Sequence, residues 1–271
     1  MQFTVSGRLS VTAWPQDSFP NPSTGRLQLL EQTFVHISGI GRKTEKALWD
    51  KGIRSWRDFL DAPRVIFSPG RDTLIRGILK ESLAHLDDAA WFSERLPSQE
   101  AWRLFGRFGD RAAFLDIETA GADFGVDEIT VIGLSGNGRA DSFVAGFNLD
   151  DFEAAVSEYT LLVTFNGATF DLPFIRRAFP HISLPGAHID LRYVLRRLGY
   201  SGGLKKIEEE LGITRPPEVV GLSGLDAVGL WRAWLEGDAS ALSRLVAYNM
   251  ADTVNLAPLM EMAYQRLSRS L

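Results

Sequence analysis

Apolar positions along the chain keep different periods in different stretches. Residues 3–11 alternate polar and apolar and predict a short strand, after which three prolines between Trp14 and Ser23 rule out helix. From Leu27 the spacing turns helical. Over 62–110 it predicts helices broken at Pro69-Gly70 and Pro97, with Trp91, Phe92, Trp102, Phe105 and Phe108 as packing residues. From Arg111 strands and helices alternate. The run at 112–119 is apolar enough for burial on both faces, and 121–127 follows as a flexible connection. Strands are expected at 128–135 and 140–147 across a Gly136-Asn137-Gly138 hairpin, then a helix over 149–158. A further strand at 159–165 should lie parallel to the first through a right-handed crossover. Helices are predicted over 189–198, 203–211, 225–235 and 239–257. The pattern implies an N-terminal arm (1–26), a small helical domain (27–98) and an α/β domain (99–271), the last two meeting near residues 96–100.

Composition narrows the class. With 271 residues and 45% hydrophobic content, the chain can bury one large core and a smaller one. Its net charge of -5 supplies no global basic field, so any grip on nucleic acid has to be local or carried by bound cations. The absence of cysteine excludes disulfides, thiolate zinc sites and cysteine nucleophiles. No stretch has the apolar run of a signal peptide or a membrane span, and the expectation is a cytoplasmic protein with no membrane partner.

Candidate chemistry sits in four places. Asp116 and Glu118, two apart on a strand, point to the same side while Ile117 enters the core. Two buried anions there repel each other, and a divalent cation is the simplest partner for both. The plain alternative is that Asp116 caps a turn and Glu118 faces water. Asp171 follows a strand end and the small residues Gly167-Ala168, beside Asn166, with Pro173 in the helix behind it. It reads both as a helix cap and as a site acid. On the helix at 239–257, Ala241, Leu245, Tyr248, Asp252 and Leu256 share one stripe. Asp252 therefore falls on the buried face, where it is either a site acid or a structural partner of the Tyr248 hydroxyl. Earlier, Gly39-Ile40-Gly41 makes a tight hairpin before Arg42 and Lys43, a nest suited to phosphate. Between His36 and Leu60, six cations (Arg42, Lys43, Lys46, Lys51, Arg54, Arg57) face three anions (Glu45, Asp50, Asp58). A structural hairpin with a solvated charged face fits the same residues.

Two resemblances follow from these motifs. Residues 34–60 resemble a helix-hairpin-helix segment of the kind that grips a DNA backbone. Asp116-Ile117-Glu118-Thr119, Asn166-Gly167-Ala168-Thr169-Phe170-Asp171 and Tyr248-Asn249-Met250-Ala251-Asp252 resemble, in order, the three motifs of the DEDD (DnaQ-like) 3′→5′ exonucleases. Tyrosine four residues before the last acid, with Ala247 where the other branch has histidine, matches the tyrosine branch. Gly203-Leu204-Lys205-Lys206-Ile207-Glu208 with Tyr248-Asn249 is similar to the YprB-type ribonuclease H-like domain. The second motif is also similar to proofreading domains of family B DNA polymerases. The resemblance implies a ribonuclease H-like mixed sheet flanked by helices. It also implies two Mg²⁺ or Mn²⁺ ions about 4 Å apart, with Asp116 bridging them. Glu118 and Asp252 would complete the ion on the nucleophile side, Asp171 would hold the other, and Tyr248 would orient the attacking water. Thr119, Asn166, Lys205 and, from the hairpin, Gly39, Gly41, Arg42 and Lys43 would contact nucleic acid. The expected activity is trimming of single-stranded 3′ ends, with DNA favoured by the hairpin. The competing readings are an endonuclease of the same fold and a non-catalytic nucleic-acid-binding module.

Overall fold

The computed structural model describes residues 28–121 and 128–271, so the arm with its strand at 3–11, and 122–127 of the expected connection, lie outside the described residues. Around one mixed sheet the elements are β1 (Ala112–Thr119), β2 (Ile129–Gly136), β3 (Arg139–Val144), β4 (Leu161–Thr164) and β5 (Ala187–Asp190), in the order β3-β2-β1-β4-β5. β1 to β3 form an antiparallel meander, and β4 and β5 add in parallel. Asn137 (φ 52°) and Gly138 (φ 72°) both take the left-handed conformation that a two-residue hairpin needs.

Before the sheet come α1 (Arg42–Asp50), α2 (Trp56–Asp61), α3 (Pro69–Ala84), α4 (Ala89–Arg95) and the single turn α5 (Phe105–Phe108). Within and after it come α6 (Phe152–Val156), α7 (Asp171–Ala178), α8 (Leu191–Arg197), α9 (Leu204–Leu211), α10 (Gly224–Leu235), α11 (Ala239–Val254) and α12 (Leu256–Arg269). Alternation along β1 divides the core. Ala113, Leu115 and Ile117 join Leu162, Phe152, Val156, Leu172 and Ile175 under α6 and α7. On the opposite face Ala112 and Phe114 join β4, β5, α12 and the N-terminal aromatics Trp102 and Phe105 in one continuous cluster. Farther along that face, Val131 and Val144 pack beneath α10 and α11. All five aromatics expected to pack are buried.

Three elements differ from the sequence pattern. The helix expected from Leu27 is reduced to a 3-10 turn at Leu30–Gln32. The next backbone groups are engaged from elsewhere: the Thr33 carbonyl accepts from Trp56 Nε1 and the Phe34 amide donates to Glu45. The helix predicted over 189–198 starts two residues later, because Ala187–Asp190 is the fifth strand and the Asp190 carboxylate caps α8 by accepting from the Arg192 amide. The long C-terminal helix breaks at Asn255, three residues before Pro258, and α12 resumes it.

Candidate active site

Asp116 and Glu118 leave β1 on the face covered by α11. That helix lies against the sheet because β2 carries glycine opposite Asp116: a Cβ on Gly133 would stand 2.1 Å from Thr253 Oγ1 and 2.5 Å from Asn249 Oδ1. This close approach brings Asp252 to the strand. One carboxylate oxygen from each of Asp116, Glu118 and Asp252 falls within 4.8 Å of the other two. Glu118 and Asp252 are 9% and 7% exposed. The whole predicted stripe of α11, from Ala241 through Tyr248 to Asp252, is buried as expected.

Asp171 approaches from the other side of Ile117. It is not a side-chain cap: its Oδ1 accepts from the Ile117 amide at 3.2 Å, with Phe170 in the cap position of α7. It stands beside the other three acids, close enough to raise Asp116 and Glu118, but outside their compact group.

The electrostatics follow from burial without enough positive charge. Burial first, then the repulsion of Asp252, Asp171 and Glu118, pushes the Asp116 carboxyl well above its usual range, against the hydrogen bond from Asn249. Glu118 is raised by burial and Asp252, with Lys205 and Arg215 pulling the other way. Burial pushes Asp171 up to about 7, against the amide hydrogen bonds it accepts. Burial and the same carboxylates raise Tyr248 above the ordinary phenol value, so its hydroxyl keeps its proton at neutral pH.

Two side chains, Asn249 and Arg215, hold acids in place. Asn249 Nδ2 donates to Asp116 Oδ2 at 3.0 Å and to its carbonyl at 3.1 Å. Arg215 donates to Asp252 through Nη2 and to Glu208 Oε2 through Nε at 2.6 Å, while Glu208 Oε1 accepts from Asn255 at 3.0 Å. The other terminal nitrogen of Arg215, Nη1, is buried and has no partner among the described residues. Lys205 Nζ donates to the Tyr248 hydroxyl and lies 4.3 Å from its ring centre. Tyr248 therefore bonds to Lys205, and Asp252 pairs with Arg215. Sequence reasoning missed Arg215; its signal was a lone cation between Thr214 and the Pro216-Pro217 pair, held by a rigid turn beside Glu208. It also gave no role to Asn249 or Gly133.

Of the other expected contacts, Asn166 takes a left-handed backbone (φ 66°) at the end of β4. Its side-chain oxygen accepts from Thr169 at 3.1 Å and from Arg192. Thr119 lies just past a register shift at the end of β1. In the hairpin, Gly39 is left-handed (φ 78°) with its carbonyl bonded to Arg71, Gly41 caps α1, Arg42 turns back onto Glu100, and Lys43 is exposed. Those residues are not brought to the acids' own elements.

Hard oxygen ligands in surplus over nearby cations suit Mg²⁺ or Mn²⁺, and the residues present fit such an ion. No described helix is long and apolar enough to cross a membrane.

Comparison with known proteins bears on the fold. No curated protein matches the sequence. Among solved structures the chain is similar to the family B DNA polymerase of the hyperthermophilic archaeon Pyrobaculum calidifontis, at 19% identity over 56% of this chain and 24% of that one, with a TM-score of 0.46. It is similar to Brucella melitensis NrnC bound to pGG, at 23% identity over 61% of this chain and 78% of that one, TM-score 0.42. The EXO domain of Aedes aegypti Nibbler gives 14% identity over 62% and 85%, TM-score 0.35. The RNase_H superfamily model matches residues 113–264, from the second residue of β1 into α12 and across all four acids. By that match over more than half its length, the chain belongs to the RNase H superfamily.

Proposed function

We propose that the chain hydrolyses phosphodiester bonds as a divalent-metal-dependent 3′→5′ exonuclease acting on single-stranded ends, with DNA as the substrate. The observation that carries this reading is the meeting of Asp116, Glu118 and Asp252 within 4.8 Å, from a strand and a helix more than a hundred residues apart. A set of raised, under-neutralised carboxylates is costly to fold around and gains most from a bound cation. Asp116, Glu118, Asp252 and Asp171 would hold two Mg²⁺ or Mn²⁺ ions, which when bound supply an activated water and charge stabilisation at the phosphate.

The chain's own groups have separable tasks. Asn249 fixes the Asp116 carboxylate, and Arg215 fixes that of Asp252. Because the Tyr248 oxygen accepts from Lys205, its hydrogen is left to donate to a water or a phosphate oxygen. With its raised pKa, Tyr248 serves as an orienting donor and not as a base.

End-labelled single strands incubated with Mg²⁺ or Mn²⁺ test the reading. The expected result is a ladder shortening from the 3′ end that disappears with EDTA and falls roughly a thousandfold or more in Asp116→Ala. Rapid cutting of a closed circular strand would replace trimming with internal cleavage. A chain that gains thermal stability from metal but hydrolyses no strand would reduce the protein to a binding module.

A further inference from the structure

A second polar feature, lined by none of the four acids, includes Ala168 of the loop that begins at Asn166. A cleft of about 760 Å³ runs between the start of α1 and the exposed side of α8, bordered by Arg42, Ala168, Asp190, Tyr193, Arg196 and Arg197. It starts at the loop after β4, where the amides of Asn166 and Ala168 donate to Asp190 at 2.8 and 3.2 Å. It ends at Arg42, directly after the Gly39–Gly41 hairpin. Ala168, on the cleft's border, lies three residues before Asp171, whose carboxylate accepts from the amide of Ile117 between Asp116 and Glu118.

The charge of this cleft is positive. Asp190, the acid on its border, is occupied by the two loop amides and the Arg192 amide. Arg42, Arg197 and the buried Arg103 converge on Glu100, and Arg103 also binds Glu45, so three guanidiniums meet two carboxylates. Arg196 is exposed and has no carboxylate partner among the described residues. Tyr193, 50% exposed, offers an aromatic face that no core contact explains. Guanidiniums in a row with a bare aromatic ring form the pattern that holds a single nucleic-acid strand, phosphates on the cations and a base on the ring.

We propose that this cleft is a strand-binding track joining the N-terminal hairpin to the catalytic carboxylates, with Arg42, Arg196 and Arg197 taking phosphates and Tyr193 stacking a base. The proposal rests on the nuclease reading. It adds a path by which the substrate strand passes over the β5 edge of the sheet.

Binding of a short fluorescein-labelled single strand to the whole chain, followed by anisotropy in EDTA so that nothing is cleaved, tests it. Tyr193→Ala should weaken binding about tenfold with an unchanged salt dependence. Arg196→Ala should weaken it and flatten the slope of log K against log salt by about 0.7, one phosphate's share on a single strand. Both residues are on the surface, so folding is not at stake. Arg139→Ala, on the β3 edge, should bind as the unaltered chain does. If both cleft variants bind as tightly as the unaltered chain while it still trims strands, the track is wrong and the nuclease reading stands. If the unaltered chain neither binds nor trims any strand, both fall. Preference for poly-glutamate over the strand would assign the cleft to an acidic protein and overturn the proposal.

Discussion

Two groups of buried charges, one in the N-terminal helical region and one at the end of β1, are built on opposite plans. In the N-terminal region Arg103, wholly buried, lies between Glu45 and Glu100. Its nitrogens reach Glu45 at 2.8 and 3.0 Å, Glu100 at 2.8 Å and Thr33 Oγ1 at 2.8 Å, and Glu45 takes the Phe34 amide as well. At the end of β1 four carboxylates have Arg215 and Lys205 as their cations, and neither Arg215 Nη1 nor Asn249 Oδ1 has a partner among the described residues. Burial is common to both groups. Balance separates them: the matched group ties helices together, and the unmatched one is a place where a further cation is stabilising.

The largest test of this contrast is Arg103→Met. Removing the shared cation leaves Glu45 buried without its ion-pair partner and Glu100 with only the more exposed Arg42 and Arg197, and urea unfolding should report a loss of about 3–5 kcal/mol. Next in size is the effect of the ion itself. Asp116, Glu118 and Asp171 have folded pKa values above their unfolded ones, so the folded state holds protons that the unfolded state releases. From Asp171 this stability is complete below its ordinary 3.8 and is lost as pH rises through about 7. His36 works in the other direction, since burial lowers it from 6.5 to about 4 and its share is lost as pH falls through that window. The Mg²⁺-induced rise in melting temperature is insensitive to His36. At one fixed Mg²⁺ concentration the stabilisation should be larger near pH 8 than near pH 5.5, and it amounts to about 2.7 kcal/mol where that concentration is a hundred times the dissociation constant. Equal shifts at both pH values would break the comparison. Smallest is Asp116→Asn in metal-free protein near pH 8, which should gain roughly 0.5–2 kcal/mol in the same urea experiment while losing the Mg²⁺ response. A carboxylate in the matched group would show the opposite sign.

Much of this arrangement could be read from residue order, and the parts that could not share a cause. The β1 acids and Asp252 were visible because strand and helix periods each place a side chain on a face. The hairpin at Asn137-Gly138 was visible because so few residues accept that backbone. β5 was missed because Ala187-His188-Ile189-Asp190 is four residues long and runs straight into the apolar positions of α8. The expected helix after Leu27 failed because Trp56 and Glu45, 23 and 11 positions from the residues they bond, bind the backbone that a helix would have used. Arg215 belongs to neither a strand nor a helix, and it reaches Asp252 of α11 while bonded to Glu208 of α9. Local patterns announce what an element presents. They are silent on what another element will bring to it.

The interior that Phe105 and Trp102 share with Phe114 and Tyr264 has a practical side for anyone trimming expression clones. There is no seam along which a minimal catalytic fragment could be excised at residue 112: the cut would strip a greasy underside from β1, β4 and α12, and the product would precipitate for reasons unrelated to its chemistry.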